Sequence, residues 1–106
     1  MLAKKERLSK SDFSRFFSSG KRLHSPLFTL IFSPHKTSHG SVVVSKKVAR
    51  RAVDRNRMRR RIYDMLRGHL RGGAPAGVYI LLVKKAALSA TYDELKEALD
   101  DLIKKV

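Results

Sequence analysis

Nine lysines and arginines lie among residues 46–61, namely Lys46, Lys47, Arg50, Arg51, Arg55, Arg57, Arg59, Arg60 and Arg61, against the single acid Asp54. Charge this dense repels itself unless a polyanion such as nucleic acid supplies the counter-charge. Arginine predominates here, and its planar fork grips a phosphate through two bonds or stacks on a base, where lysine acts as a point charge. Composition alone leaves RNA, DNA and an anionic membrane surface open. The segment lacks the interfacial Trp- or Phe-bearing face of a membrane-surface helix. Six arginines between 51 and 61 suit backbone neutralisation better than base readout, which needs a few specific side chains.

Residues for protein-borne chemistry are missing from the pattern. His24, His35, His39 and His69 have no metal-like spacing, and only His35 and His39 are close, without a third ligand. No serine has a convincing triad, no carboxylate pair adjoins a glycine-rich loop, and Gly20, Gly40 and Gly68 read as breakers, not a phosphate cradle. The chain has no cysteine, which removes disulfides and zinc fingers from consideration. No catalytic side chain and no protein metal site are expected.

The remaining composition sets the frame. With 24 Lys+Arg against 9 Asp+Glu, the 106 residues carry a formal charge of +15, far more than solubility requires. Five of the nine acids, Asp93, Glu94, Glu97, Asp100 and Asp101, sit in the last fourteen residues, so the C-terminal helix is expected behind the nucleic-acid face. This length and 42% hydrophobic residues suit one domain with one modest core. The first eleven residues have no hydrophobic stretch of the secretory type, and apolar runs such as 30–32 and 78–83 are too short to span a bilayer. A cytoplasmic protein is the default expectation.

Periodicity places these residues on elements. Residues 1–8 read as a basic arm and 9–106 as a single RNA-binding domain. Ser9 can cap a helix with Asp12 in its first turn and Leu8 and Phe13 stapled across the cap. Phe13, Phe16 and Phe17 then share one side, and Gly20 can end the helix. Residues 27–32 and 41–45 read as two antiparallel strands joined by a loop holding His35, Lys36 and His39. A helix from 51 or 52 to 70 places Met58, Ile62, Met65, Leu66 and His69 on one side and Arg57, Arg60, Arg61, Asp64 and Arg67 on the other. Asp54 in its first turn can brace a neighbouring arginine. Residues 78–83 form an apolar strand and 87–90 a turn. Thr91 with Glu94 makes a capping box for a last helix whose stripe is Tyr92, Leu95, Leu99, Leu102, Ile103 and Val106. The fold class is α+β, a single α/β sandwich in α-β-β-α-β-α order, with room for a further short strand near Arg22 and a sheet packed against helices.

Arg55-Asn56-Arg57, preceded by Ala52-Val53 and followed by Arg59-Arg60, resembles the Arg-Asn-Arg signature of the bacterial ribonuclease P protein subunit. Nearly the whole chain shares the pattern: Arg7-Leu8 and Asp12-Phe13, Phe16, Phe17, Gly20 and Lys21, Val44-Ser45-Lys46-Lys47, and Tyr92 with Leu95-Lys96. The resemblance implies an accessory subunit that binds the catalytic RNA and precursor tRNA and promotes removal of the 5′ leader. Hydrolysis would be performed by the RNA with Mg2+ held mainly by that RNA and none by protein side chains alone. No membrane and no obligate protein partner are implied.

The resemblance also implies roles. Lys46, Lys47, Arg51, Arg55, Asn56, Arg57, Arg59, Arg60 and Arg61 would face the catalytic RNA. Phe13, Arg15, Phe16, Phe17, Lys21 and Arg22 would line a leader cleft between the first helix and the sheet, with Phe16 or Phe17 as the exposed ring and Phe13 in the core. A left-handed β-α-β crossover around the arginine helix is expected from the family, where general statistics favour the right hand. Two departures stand out: Arg50-Arg51 replaces the common Gly-Asn, and Asp54 occupies a usually apolar position. A bend relying on positive φ at residue 50 would be strained. The competing readings are a structural RNA-binding protein of ribosomal type and, third, a DNA-binding regulator.

Overall fold

The structure is a computed structural model that describes residues 7–106. Apart from Arg7 and Leu8, the expected basic arm lies outside the described residues. The elements run α1 (Lys10–Ser19), β1 (Lys21–His24), β2 (Phe28–Pro34), β3 (His39–Val43), α2 (Ala52–Arg71), β4 (Gly77–Val83), a 3-10 helix (Lys85–Ser89) and α3 (Tyr92–Lys104).

Capping sets the first helix. The Ser9 hydroxyl accepts from the Asp12 amide at 3.2 Å, and the Gly20 amide closes the other end on the Phe16 carbonyl at 2.9 Å. Gly20 has φ −72°, so this position does not use the left-handed freedom of glycine. What it needs is space: a Cβ there would collide with Ile31 Cγ2 and lie 3.0 Å from the Phe16 carbonyl. The chain can therefore turn directly from α1 into β1, the further short strand expected near Arg22.

The four strands lie in the order β1-β2-β4-β3. β2 pairs antiparallel with β1 and β4, whereas β3 runs parallel to β4. The expected hairpin between residues 27–32 and 41–45 is therefore corrected, because β4 is inserted between those strands. Val78 to Leu81 are all buried, and a strand apolar on both faces belongs at the centre of a sheet. β3 is left at the rim and begins two residues earlier than expected, at His39. It reaches its parallel neighbour through α2, which forms the β-α-β connection.

Alternation then divides the side chains between two faces. Phe28, Leu30 and Phe32 of β2, Val42 of β3, and Tyr79, Leu81 and Val83 of β4 pack with α2 and α3 in the main core. Ile31, Val78 and Ile80 face the other way, where Leu8, Phe13, Phe16, Phe17 and Leu82 cover them. α1 thus lies on the opposite face from α2 and α3. The α2 stripe buries Met58, Ile62, Met65 and Leu66 as the periodicity indicates, and adds Tyr63.

The C-terminal layer is tied at several points. His69 links α2 to α3, its Nε2 lying 2.6 Å from Asp100 Oδ1. Residues 85–89 form a helical turn where only 87–90 was expected as a turn. Thr91 and Glu94 complete the expected capping box. Tyr92 is corrected from the buried stripe to the surface, with 54% of its area exposed. It is the first residue of α3 and overhangs the core that Leu95 and Leu99 enter a turn later. Among the described residues, no helix is long and apolar enough to cross a membrane.

Candidate nucleic-acid interface

α2 carries cations along its outer face because its inner face is fully committed to the core. Arg57, Arg60 and Arg61 are exposed, with Arg59 half-buried on the flank. The helix begins at Arg51, which supplies no side-chain cap, and Asp54 in the first turn faces the positive end of the dipole. Asp54 Oδ2 also lies 3.4 Å from Arg51 Nε, so the arginine it braces is Arg51. The Asn56 amide oxygen accepts from Arg59 Nη2, which aims that guanidinium. Lys46, Lys47, Arg50 and Arg51 are exposed in the loop leading from β3.

No described residue other than glycine has positive φ, so Arg50 turns without the strain that a left-handed bend would impose. The loop is closed by other means: the Val48 and Ala49 amides both reach the Ser45 carbonyl at 3.1 Å. Arg55 Nη1 lies 3.0 Å from the Ala49 carbonyl and 2.7 Å from that of Arg50.

Between α2 and the outer rim of β3 runs a groove of about 660 Å³, lined by Ser41, Val42, Asn56, Arg59, Arg60 and Tyr63. Tyr63 forms its floor and is buried, with its hydroxyl accepting from the Val42 amide at 3.0 Å. Sequence reasoning missed Tyr63 and Ser41. The available signal for Tyr63 was its position next to Ile62 and four residues after Arg59, at the boundary between the apolar stripe and the arginine face.

On the other face, α1 presents Phe13, Phe16 and Phe17, all half-buried, so Phe13 is not the core ring that was expected. The helix lies at the edge of the small Ile31–Val78–Ile80 cluster, which is too narrow to enclose any of the three. Phe13 and Phe17 stack with centroids 5.6 Å apart. Arg15 lies over the Phe16 ring at 4.6 Å and Arg22 over Phe17 at 4.9 Å, within the reach of cation–π attraction. Arg22 also donates to the Phe17 carbonyl at 3.3 Å.

The structure therefore brings Arg15, Phe16, Phe17 and Arg22 together. Lys21 departs from this set: it pairs with Phe32, a residue of the main core, so its side chain leaves the opposite face of the sheet. In its place the structure supplies two histidines, His35 from the β2–β3 loop and His39 at the start of β3. His35 meets Phe16 edge-on at 5.8 Å and His39 at 5.5 Å, and Thr37 Oγ1 lies 2.7 Å from His39 Nε2. Among the described residues, no group of three or more His, Asp or Glu side chains could hold a metal ion.

His39 and Ser41 alternate with Gly40 and Val42 along β3, so His39 on the aromatic patch and Ser41 at the border of the arginine groove share one face of the strand. This arrangement defines a class: a small α+β scaffold that carries cations and half-buried rings on the two surfaces flanking β3, suited to a flexible polyanion. A family model described as Ribonuclease P matches residues 2–106, and the chain belongs to that family.

Relatives agree. The ribonuclease P protein component of Xanthomonas campestris is 30% identical over 98 residues, covering 92% of this chain and 66% of the relative. The chain thus spans about two thirds of the length of that relative. The component from Microcystis aeruginosa is 30% identical over 103 residues, covering 91% of this chain and 85% of its own. The RNase P protein of Thermotoga maritima superposes with a TM-score of 0.83 at 26% identity, covering 95% of this chain and 97% of its own. That of Staphylococcus aureus gives 0.84 at 23% identity, with 94% of each chain covered, and shows the shared fold.

Proposed function

We propose that this chain is the protein subunit of ribonuclease P, binding the catalytic RNA and the 5′ leader of precursor tRNA so that the RNA removes the leader by phosphodiester hydrolysis. The observation that carries the reading is the pair of cation-bearing surfaces on either side of β3, the rings and guanidinium groups of α1 and β1 on one face and the arginine-lined groove of α2 on the other. It offers two binding zones on a rigid sheet. Arg57, Asn56, Arg59, Arg60 and Arg61, extended by Lys46, Lys47 and Arg51, form the zone for the RNA subunit. Phe16, Phe17, Arg15 and Arg22, backed by Phe13, form the zone for the single-stranded leader, with Lys21 able to meet phosphate only from the sheet's edge.

The protein's contribution is positional and electrostatic. Cations on both zones lower the repulsion between two RNAs, and rings and guanidinium groups hold an unpaired strand through base stacking. Mg2+ is held mainly by the RNA, since the described residues offer no cage and Asp54 is engaged by Arg51. The protein acts in the cytoplasm, with residues 9–106 as one RNA-binding domain, residues 1–8 as a basic arm and no obligate protein partner.

The test is leader cleavage by the catalytic RNA at low magnesium, with and without the protein. Addition should raise the cleavage rate. No change, with RNA binding intact, would leave a structural RNA-binding protein of ribosomal type, and preference for duplex DNA over folded RNA at matched salt would indicate a regulator.

A further inference from the structure

We infer that Arg55 is a positioning residue: its guanidinium clasps the loop over residues 45–51 and so fixes Lys46 and Lys47 for RNA. The inference rests on the RNA-binding reading above. In the sequence Arg55 is one arginine among many, yet its surroundings differ from those of its neighbours. It is half-buried, whereas Arg57, Arg60 and Arg61 are exposed. One nitrogen, Nη1, lies within hydrogen-bonding distance of two successive carbonyls, 3.0 Å from Ala49 and 2.7 Å from Arg50. With Nη1 held by two carbonyls, the end of the fork formed by Nη1 and Nη2 is taken up by the loop, and only the Nε–Nη2 side is left for any other acceptor.

The loop needs such a clasp. It contains no glycine, and no described residue other than glycine takes a left-handed conformation, so the backbone turns without the usual device. Its inner side is anchored by Ala49, only 5% exposed, and by the two amides that reach the Ser45 carbonyl. Those contacts leave the carbonyls of Ala49 and Arg50 facing the start of α2. The cap residue there, Arg51, contributes no side-chain bond. A cation in the first turn is disfavoured by the helix dipole, and two carbonyl acceptors offset that cost at Arg55. Lys46 and Lys47 are exposed in the turn of the loop so closed.

Two measurements test the clasp. In the RNA-free protein, Arg55→Ala should raise amide hydrogen exchange at Val48 and Ala49 by about tenfold, with α3 amides unchanged. In RNA binding, Arg55→Ala should cost about tenfold in affinity in the wild-type background but less than about twofold when Lys46 and Lys47 are already alanine, because the residues it positions are gone. Should the alanine variant unfold, Arg55→Met retains the apolar stem without the donors and carries the same expectations. Equal losses in the two backgrounds, or unchanged exchange at Val48 and Ala49, would overturn the inference. The exchange experiment needs no RNA, so failure of the clasp is distinguishable from failure of the RNA-binding reading.

Discussion

Removing Arg57 and Arg61 together should stabilise the free protein while weakening its complex with RNA, two effects of opposite sign from one change. These residues stand one turn apart on the exposed ridge of α2, beside Leu88, and neither has an ion pair or hydrogen bond among the described residues. Like charges at this spacing cost about 0.2–0.5 kcal/mol in a helix, and alanine is at least as good a helix former as arginine. Arg57→Ala/Arg61→Ala should therefore gain about 0.5 kcal/mol, or about 2–4 °C in melting temperature for a domain of this size. For RNA, each phosphate contact contributes about 0.7–0.9 to the slope of log affinity against log salt, so two lost contacts change the affinity ratio of wild type to variant by about 7–12-fold between roughly 50 and 200 mM salt. Urea unfolding measures the first quantity and filter binding across a salt series the second. A stability loss greater than about 0.5 kcal/mol would show that these arginines hold the fold. An unchanged salt slope would show that they miss phosphate.

Tyr63→Phe should destabilise the protein by about 1 kcal/mol, near the lower end of the cost of an unsatisfied buried amide, because the adjoining groove admits water to Val42; a shift in urea midpoint with constant slope measures it, and no shift would refute the role of the hydroxyl. Gly20→Ala should cost about 1–3 kcal/mol through overpacking against Ile31, and wild-type stability would mean that the α1–β1 corner yields freely. Phe16→Ala or Phe17→Ala should weaken leader-bearing substrate more than mature tRNA, by up to about 1–3 kcal/mol per stacked base; equal losses for both RNAs would count against leader stacking. Glu94 has its carboxyl pKa lowered, first by the Thr91 backbone amide and then by the Thr91 side chain. Its support for folding is complete above the ordinary value of 4.5 and is lost as pH falls through the depressed folded value. Stability measured over the acid limb should therefore fall more steeply for wild type than for Glu94→Gln, and parallel curves would contradict the linkage.

The helices were legible because their signals are local. The Ser9 cap, the Thr91–Glu94 box and the α2 stripe each depend on residues within a turn or two of one another. Strand order was not, since chain neighbours usually pair and residues 27–32 and 41–45 looked like a hairpin. The decisive clue was energetic: residues 78–83 form the longest run apolar on both faces, and that strand lies inside the sheet between β2 and β3. At the interface, the arginine face followed from helical phase, but the different position of Arg55 depends on a loop folding back to it, which no periodicity encodes. Lys21 shows the converse. Its phase relative to Arg22 was available in the sequence, but only the pairing of β1 with β2 shows which of the two faces α1.

Both margins of the sheet are blunted. At one, the short strand β1 carries exposed Lys21 and Arg22. At the other, Arg7 bridges to Gly40 and the Tyr63 hydroxyl occupies the Val42 amide. Open strand edges invite copies of a chain to stack through their backbones, and charge or occupied amides discourage it. A free copy of the chain is thus guarded against amyloid-like association at one margin by the charges of Lys21 and Arg22 and at the other by the Arg7 bridge and the Tyr63 hydroxyl.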